Sequence, residues 1–105
     1  MLVWNKKIYM DKKVRKNPAR YKRIASRKKS FRHCFCITFP ANSGNIMDIY
    51  PSRELWFKYR AACGIEIIGM AAGMESAVQL VAEMAQDIYK EYGDISPFLV
   101  QKFFE

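Results

Sequence analysis

Lysine and arginine crowd the first third of the chain, and their chemistry is the clearest in the sequence. Residues 1–32 hold thirteen Lys and Arg against one Asp, and residues 33–105 hold five against nine carboxylates, so the net charge of +8 divides into +12 and −4. Such cations displace counterions condensed on a phosphate backbone, and arginine binds phosphate oxygens in a fork. The pattern predicts contact with nucleic acid or a ribonucleoprotein. The predicted contact residues are Lys12, Lys13, Arg15, Lys16, Arg20, Lys22, Arg23, Arg27, Lys28, Lys29 and Arg32.

Other roles for this basic segment stay open at the level of sequence. A stretch of this composition also suits a solvated tail that keeps a small domain in solution. An anionic membrane surface, an acidic protein partner or the acidic remainder of the chain would attract it as well.

Three carboxylates near the C-terminus form a second candidate surface. Glu83, Asp87 and Glu91 are spaced four residues apart, so they share one side of an α-helix. An acidic ridge of this kind can mimic phosphate, and we regard it as the alternative face for a protein partner.

Cysteine and histidine do not assemble a site in this sequence. Cys34 and Cys36 share one face of a predicted strand, and His33 takes the other face. A structural zinc site needs four ligands, commonly from C-x₂₋₄-C knuckles. We therefore expect these cysteines and Cys63 to be small buried apolar residues, with no metal, no cofactor and no catalytic group.

A glycine-containing turn, Gly69–Gly73, falls between a predicted strand and a predicted helix. Backbone N–H groups at such a place can hold an anion. The residues match neither the P-loop nor the dinucleotide-binding fingerprint, so close packing of strand against helix is the preferred interpretation.

Residues 1–30 are predicted to form a basic N-terminal segment with two elements. Residues 7–10 have the β-branched and aromatic character of a short edge strand. Asn17 and Pro18 indicate a helix start, because Asn caps free N–H groups and proline lacks only a donor that would be unpaired there. This helix is predicted over residues 17–29, with an apolar stripe so narrow that it docks by one edge.

Residues 31–105 are predicted to form a globular domain. Residues 31–39 alternate as a strand and pair with residues 46–50 in a hairpin. A helix capped by Ser52 follows, and residues 65–71 read as a buried strand.

The last part of the chain is predicted to be helical. Residues 74–92 keep a helical period and end at Gly93, and Ser96 caps a final short helix. The apolar positions of the long helix are Met74, Ala77, Val78, Val81, Met84, Ala85, Ile88 and Tyr92. The order of elements predicts an α+β fold of two layers, a three- or four-stranded sheet covered on one face by helices, with a basic N-terminal helical segment.

Length and cysteine content limit the class of protein. The apolar runs fall short of the about 20 residues of a transmembrane helix, and residues 1–4 are too short for a secretory signal. Three cysteines, an odd number, favour a reducing compartment. We expect a cytoplasmic protein with no membrane partner, and the sequence assigns no oligomeric state.

Two stretches carry a resemblance to known sequences. CITFPANSGNIMDIYPSRELWFKYR and GIEIIGMAAGMESAVQLVAEMAQDIY resemble a group of small uncharacterised proteins from genomes and mobile elements of Firmicutes. The resemblance implies a small cytoplasmic bacterial protein, and it brings no catalytic motif and no cofactor.

The residues and the resemblance together predict a non-enzymatic binding module. It would contact nucleic acid or a nucleoprotein complex through the Lys/Arg-rich segment. The alternative is a protein-interaction or inhibitor module of a mobile element, similar to an anti-CRISPR protein, that blocks a host nucleic-acid enzyme through its folded acidic face.

Overall fold

The computed structural model describes residues 2–27, 34–41, 44–58 and 65–105. The elements in these ranges are β1 (Leu2–Met10), α1 (Lys12–Lys16), α2 (Pro18–Ser26), β2 (Phe35–Thr38), β3 (Asp48–Pro51), α3 (Ser52–Lys58), β4 (Ile65–Ala71), α4 (Met74–Tyr92) and α5 (Pro97–Phe103). Across these residues, no helix combines the length and the apolar content that a membrane span requires.

The strands form one mixed sheet in the order β1–β4–β2–β3. β1 runs parallel to β4, and β2 runs antiparallel to both β4 and β3. The predicted hairpin is confirmed, with Ile37 of β2 opposite Ile49 of β3. The edge strand predicted at residues 7–10 is confirmed as well, and it begins earlier, at Leu2. A four-stranded sheet packed with helices confirms the α+β class.

Alternation along β2 divides the core between the two faces of the sheet. Ile37 lies in a cluster with Met84 of α4, and this long helix forms the main helical layer. Cys36, the preceding residue, lies in a second cluster with Val14 of α1 and Leu55 of α3. Helices therefore cover both faces of the sheet, whereas the sequence predicted a cover on one face, because the strands carry apolar residues on both sides.

The long helix is confirmed at its predicted bounds, Met74–Tyr92, and Gly93 ends it with a left-handed φ of 73°. Its buried residues are Ala77, Leu80, Met84 and Ile88. Met74 and Val78, two of the predicted apolar positions, are 52% and 53% exposed and so lie outside the core. The apolar side of this helix therefore extends beyond the face that it buries.

The basic helix starts where it was predicted to start. Asn17 caps α2, and its Oδ1 accepts the N–H of Arg20 at 3.3 Å. The helix ends at Ser26 rather than continuing through the predicted range 17–29, of which residues 28–29 lie outside the described residues.

Two further elements differ from the prediction. Helix α1 was not predicted, because five residues are too few to show a helical period. Strand β2 occupies Phe35–Thr38 within the predicted range 31–39, and residues 31–33 lie outside the described residues.

Candidate functional site

Asp11, the one carboxylate of residues 1–32, determines where the first basic helix lies. Its Oδ1 accepts the N–H of Val14 at 2.9 Å and thereby caps α1. Its Oδ2 accepts the N–H of Ala72 at 2.8 Å and the hydroxyl of Ser76 at 2.8 Å. These bonds attach α1 to the beginning of α4, which lies more than sixty positions later in the chain.

The same contacts keep Asp11 ionised. Burial by itself would raise the pKa of this carboxyl group, but hydrogen bonds from Val14, Ala72 and Ser76 and the charge of Lys13 outweigh burial and lower the pKa. A negative charge at this point is also favourable toward the positive end of the α4 dipole.

Most of the predicted contact residues project from α1 and α2. Among the residues that the structure describes, seven of them are exposed, namely Lys12, Lys13, Arg15, Lys16, Arg20, Arg23 and Arg27. Val14 and Ala25 are fully buried and hold the two helices on the second core cluster. Arg20 and Arg23 are three residues apart, so they lie on one side of α2. Arg27 follows the helix as its C-cap residue, in an extended conformation. The structure therefore presents six of these cations on two adjacent folded helices and the seventh at the end of α2.

The other predicted contact residues are placed differently. Lys22 is half-buried, and its Nζ lies 5.5 Å from the centre of the Trp4 ring. This contact ties the charge of Lys22 to β1. Lys28, Lys29 and Arg32 lie outside the described residues.

A cleft of about 680 Å³ opens between α1 and the first turns of α4. It lies at the carboxyl ends of the parallel strands β1 and β4, which is where open α/β sheets bind their ligands. Lys12, Lys13 and Arg15 line it on the α1 side, and Glu75 and Glu83 line it on the α4 side. A cleft with both signs of charge can bind a ligand that carries anionic groups together with hydrogen-bond donors.

The acidic ridge meets this cleft at one end. Glu83, Asp87 and Glu91 are all exposed along α4, and Glu83 also lines the cleft. The carboxylate of Asp87 accepts the hydroxyl of Tyr9 on β1 at 2.5 Å. Burial and then this hydrogen bond raise the pKa of Tyr9. The two surfaces distinguished in the sequence are thus neighbours in the fold.

Cys34 and Cys36 are free thiols inside the second core cluster. The expectation of small buried apolar residues is confirmed for these two. Their mutual hydrogen bond and then burial raise the pKa of Cys36 well above its ordinary value, so this thiol stays protonated. Within the described ranges, no three His, Cys, Asp or Glu side chains are grouped as a metal site. His33 and Cys63 lie outside those ranges.

The two glycines that precede α4, Gly69 within β4 and Gly73 after it, have different roles. A Cβ at Gly69 would lie 2.8 Å from Cδ1 of Ile37 and 3.2 Å from Cε of Met84. This position must therefore be small for the sheet and α4 to approach each other, which confirms the packing interpretation there. Gly73 is the N-cap of α4, and a Cβ there would meet only Oγ of Ser76, at 4.0 Å.

Sequence reasoning missed three residues of this region, Tyr9, Asp11 and Ser76. An Asp before a helix is a recognised N-cap signal. The five residues of α1 are too few to show the helical period that would identify a helix after Asp11. The contacts of Asp11 with Ser76 and of Tyr9 with Asp87 join positions 65 and 78 residues apart. Pairs at that separation have no local sequence signal.

Comparisons of the chain with protein-family models, with curated proteins and with solved structures found no match. The cleft and the two charged surfaces are therefore the features that bear on function. The resemblance to proteins of Firmicutes stays a prediction.

Proposed function

We propose that the chain is a small non-enzymatic binding module that contacts nucleic acid or a nucleoprotein complex through α1 and α2. The observation that carries the proposal is the set of seven exposed cations on two helices packed against the sheet and on the residue that ends the second helix. A basic surface that is already folded loses less conformational entropy on binding than a flexible tail.

The cleft beside α1 supports the same proposal. Lys12, Lys13 and Arg15 supply positive charge for phosphate oxygens, and Glu75 and Glu83 supply acceptors for N–H groups on bases. Its volume of about 680 Å³ lies within the range of small-molecule sites. Binding by charge, with little sequence preference, is the expected mode.

The proposed compartment is a reducing cytoplasm. Three cysteines, an odd number, are the observation that favours it, because disulfides are rare in that compartment. A bacterial or mobile-element origin is part of the proposal and rests on the sequence resemblance alone.

The proposal is tested by fluorescence anisotropy with labelled single-stranded RNA, single-stranded DNA and duplex DNA at several salt concentrations. We expect micromolar affinity at moderate salt and a linear fall of log K with log salt. In Arg20→Gln/Arg23→Gln, the slope on duplex DNA should decrease by about 2 and the affinity should fall about tenfold.

The matched control removes two charges from other parts of the surface. Arg53 and Lys102 are exposed on α3 and α5, outside the basic helices. Arg53→Gln/Lys102→Gln should leave the salt slope unchanged. Binding that does not depend on salt, or equal losses in both double variants, would contradict the proposal.

The second candidate function is the inhibitor module acting through the acidic ridge. It is favoured by the exposure of Glu83, Asp87 and Glu91 along one helix. We place it second because Asp87 is already bonded to Tyr9 and Glu83 opens onto the basic cleft. Glu83→Lys/Glu91→Lys should abolish capture of a host nucleic-acid enzyme and preserve free nucleic-acid binding if this second function holds.

A further inference from the structure

Helix α4 carries an exposed apolar face beside the one it buries. Met74, Val78 and Tyr89 are 52%, 53% and 59% exposed, and Ala82 between them is exposed as well. Positions 74, 78 and 82 follow one another at four-residue spacing, so they lie along one side of the helix. Apolar side chains gathered on a helix already buried on its other side indicate an interaction surface.

A cavity lies at the C-terminal end of this face. It measures about 540 Å³ and is lined by Ala85, Gln86, Tyr89, Lys90 and Ile95. Met74, a flexible apolar side chain, lies at the opposite end of the same helix. The face therefore has a projecting side chain at one end and a recess at the other.

We propose that a second copy of this chain packs on this face, with the two α4 helices antiparallel. An antiparallel alignment about Ala82 brings Met74 of each copy to the cavity beside Tyr89 and Lys90 of the other. A two-fold arrangement of this kind uses the same surface on both copies, so each contact occurs twice. The small side chain at Ala82 lets the helices approach closely where they cross.

Charge complementarity favours a second copy as the occupant. Glu75 follows Met74 and Lys90 follows Tyr89, and both charged residues are exposed. In the antiparallel alignment, Glu75 of each copy lies opposite Tyr89 of the other and next to its Lys90. A parallel pair would instead bring Glu75 of each copy to the level of Glu75 of the other, far along the helix from Lys90. This dimer goes beyond the proposed binding function and does not depend on it.

Sedimentation velocity on the full chain tests the proposal. The apparent mass of the wild-type chain should rise from 12.3 kDa toward twice that value as the protein concentration is raised. The titration spans roughly 1 to 300 µM, because the dimer fraction rises with total protomer concentration. Val78→Asp should weaken association about 100-fold, because it buries an unpaired charge at the interface. Val78 is exposed in the single chain, so the thermal midpoint of the dilute variant should not fall. Val3→Asp, the matched change at an exposed apolar residue of β1, should still dimerise.

A charge exchange makes the test specific to this alignment. Glu75→Lys and Lys90→Glu should each weaken the dimer about tenfold, since two attractive pairs become repulsive ones. The double exchange should restore wild-type association. A wild-type chain that stays monomeric over the whole concentration range overturns the proposal, whatever other molecule binds this face. A dimer unaffected by Val78→Asp, or not restored by the double exchange, overturns it as well.

Discussion

The two charged helical regions of the molecule are held in place by different forces. Helix α4 spans nineteen residues and buries four apolar side chains, whereas α1 spans five residues and buries Val14 alone. A helix of one turn is not stable in isolation, so α1 needs contacts beyond its own backbone. Asp11 supplies them by bonding to both α1 and the start of α4. The first basic helix therefore depends on polar bonds in addition to the packing of Val14, and α4 depends mainly on packing.

The largest expected effect is the loss of the Asp11 carboxylate. Asp11→Ala removes a helix cap and the bonds to Ala72 and Ser76, so the free energy of unfolding should fall by about 3 kcal/mol. Nucleic-acid affinity should fall as well, although no cation is lost. Urea denaturation and anisotropy titration measure the two effects. Asn17→Ala removes only the cap of α2 and should cost about 1 kcal/mol. Equal losses in the two variants would contradict the role given to Asp11.

A substitution where the sheet packs against α4 should lower stability without changing nucleic-acid binding. Gly69→Ala places a methyl group 2.8 Å from Cδ1 of Ile37, so the free energy of unfolding should fall by about 2 kcal/mol. The basic helices lie on the opposite face of the sheet, so the folded variant should bind nucleic acid as the wild type does. Urea denaturation followed by anisotropy below the transition would show both results. A large loss of affinity in the folded variant would show that the two regions are not separable.

The pH dependence of stability should also report Asp11. The pKa of Asp11 is lower in the folded chain than in the unfolded chain. The ionised carboxylate therefore contributes fully to the free energy of unfolding above the pKa of the unfolded chain, and this contribution is lost as pH falls through the pKa of the folded chain. Protonation keeps part of the bonding, so the loss should be smaller than in Asp11→Ala. Urea denaturation between about pH 6 and pH 3 should show the difference between wild type and Asp11→Asn shrinking toward acid. A difference that stays constant over this range would contradict the assignment.

The smallest effect is expected at the hydrogen bond between Tyr9 and Asp87. The bond is exposed to solvent, so Tyr9→Phe should lower the free energy of unfolding by no more than about 1 kcal/mol. Thermal denaturation measures this change. A loss as large as that of Asp11→Ala would mean that α4 also depends on polar bonds.

Long periodic elements were predictable from the sequence, and contacts across the fold were not. The bounds of β4 and α4 agree with the prediction because each has a sustained apolar pattern that ends at a glycine or a turn. The caps at Asn17 and Ser96 were predictable because each is a capping residue followed directly by proline, which is a local signal. The exposure of Met74 was not predictable, because the apolar period of a helix does not show how much of its apolar side the rest of the fold covers.

The sequence predicted which residues carry the positive charge of the candidate site but not where in the fold they lie. Thirteen cations in residues 1–32 identify a basic segment. Their position beside a cleft depends on the hydrogen bonds of Asp11 with Ala72 and Ser76, and the parallel pairing of β1 with β4 brings those residues together. Glu83 lies near helix α1 for the same reason, because the pairing of β1 with β4 places α1 beside α4.

Backbone amide chemical shifts of the labelled full chain, recorded while an unlabelled single-stranded oligonucleotide is added, test the central claim most directly. We predict that the shifts concentrate in residues 12–27 and in the cleft near Gly73 and Ser76, and that they vanish as salt is raised. Shifts confined to residues 83–91, or shifts that persist at high salt, would contradict the claim that the basic helices bind nucleic acid.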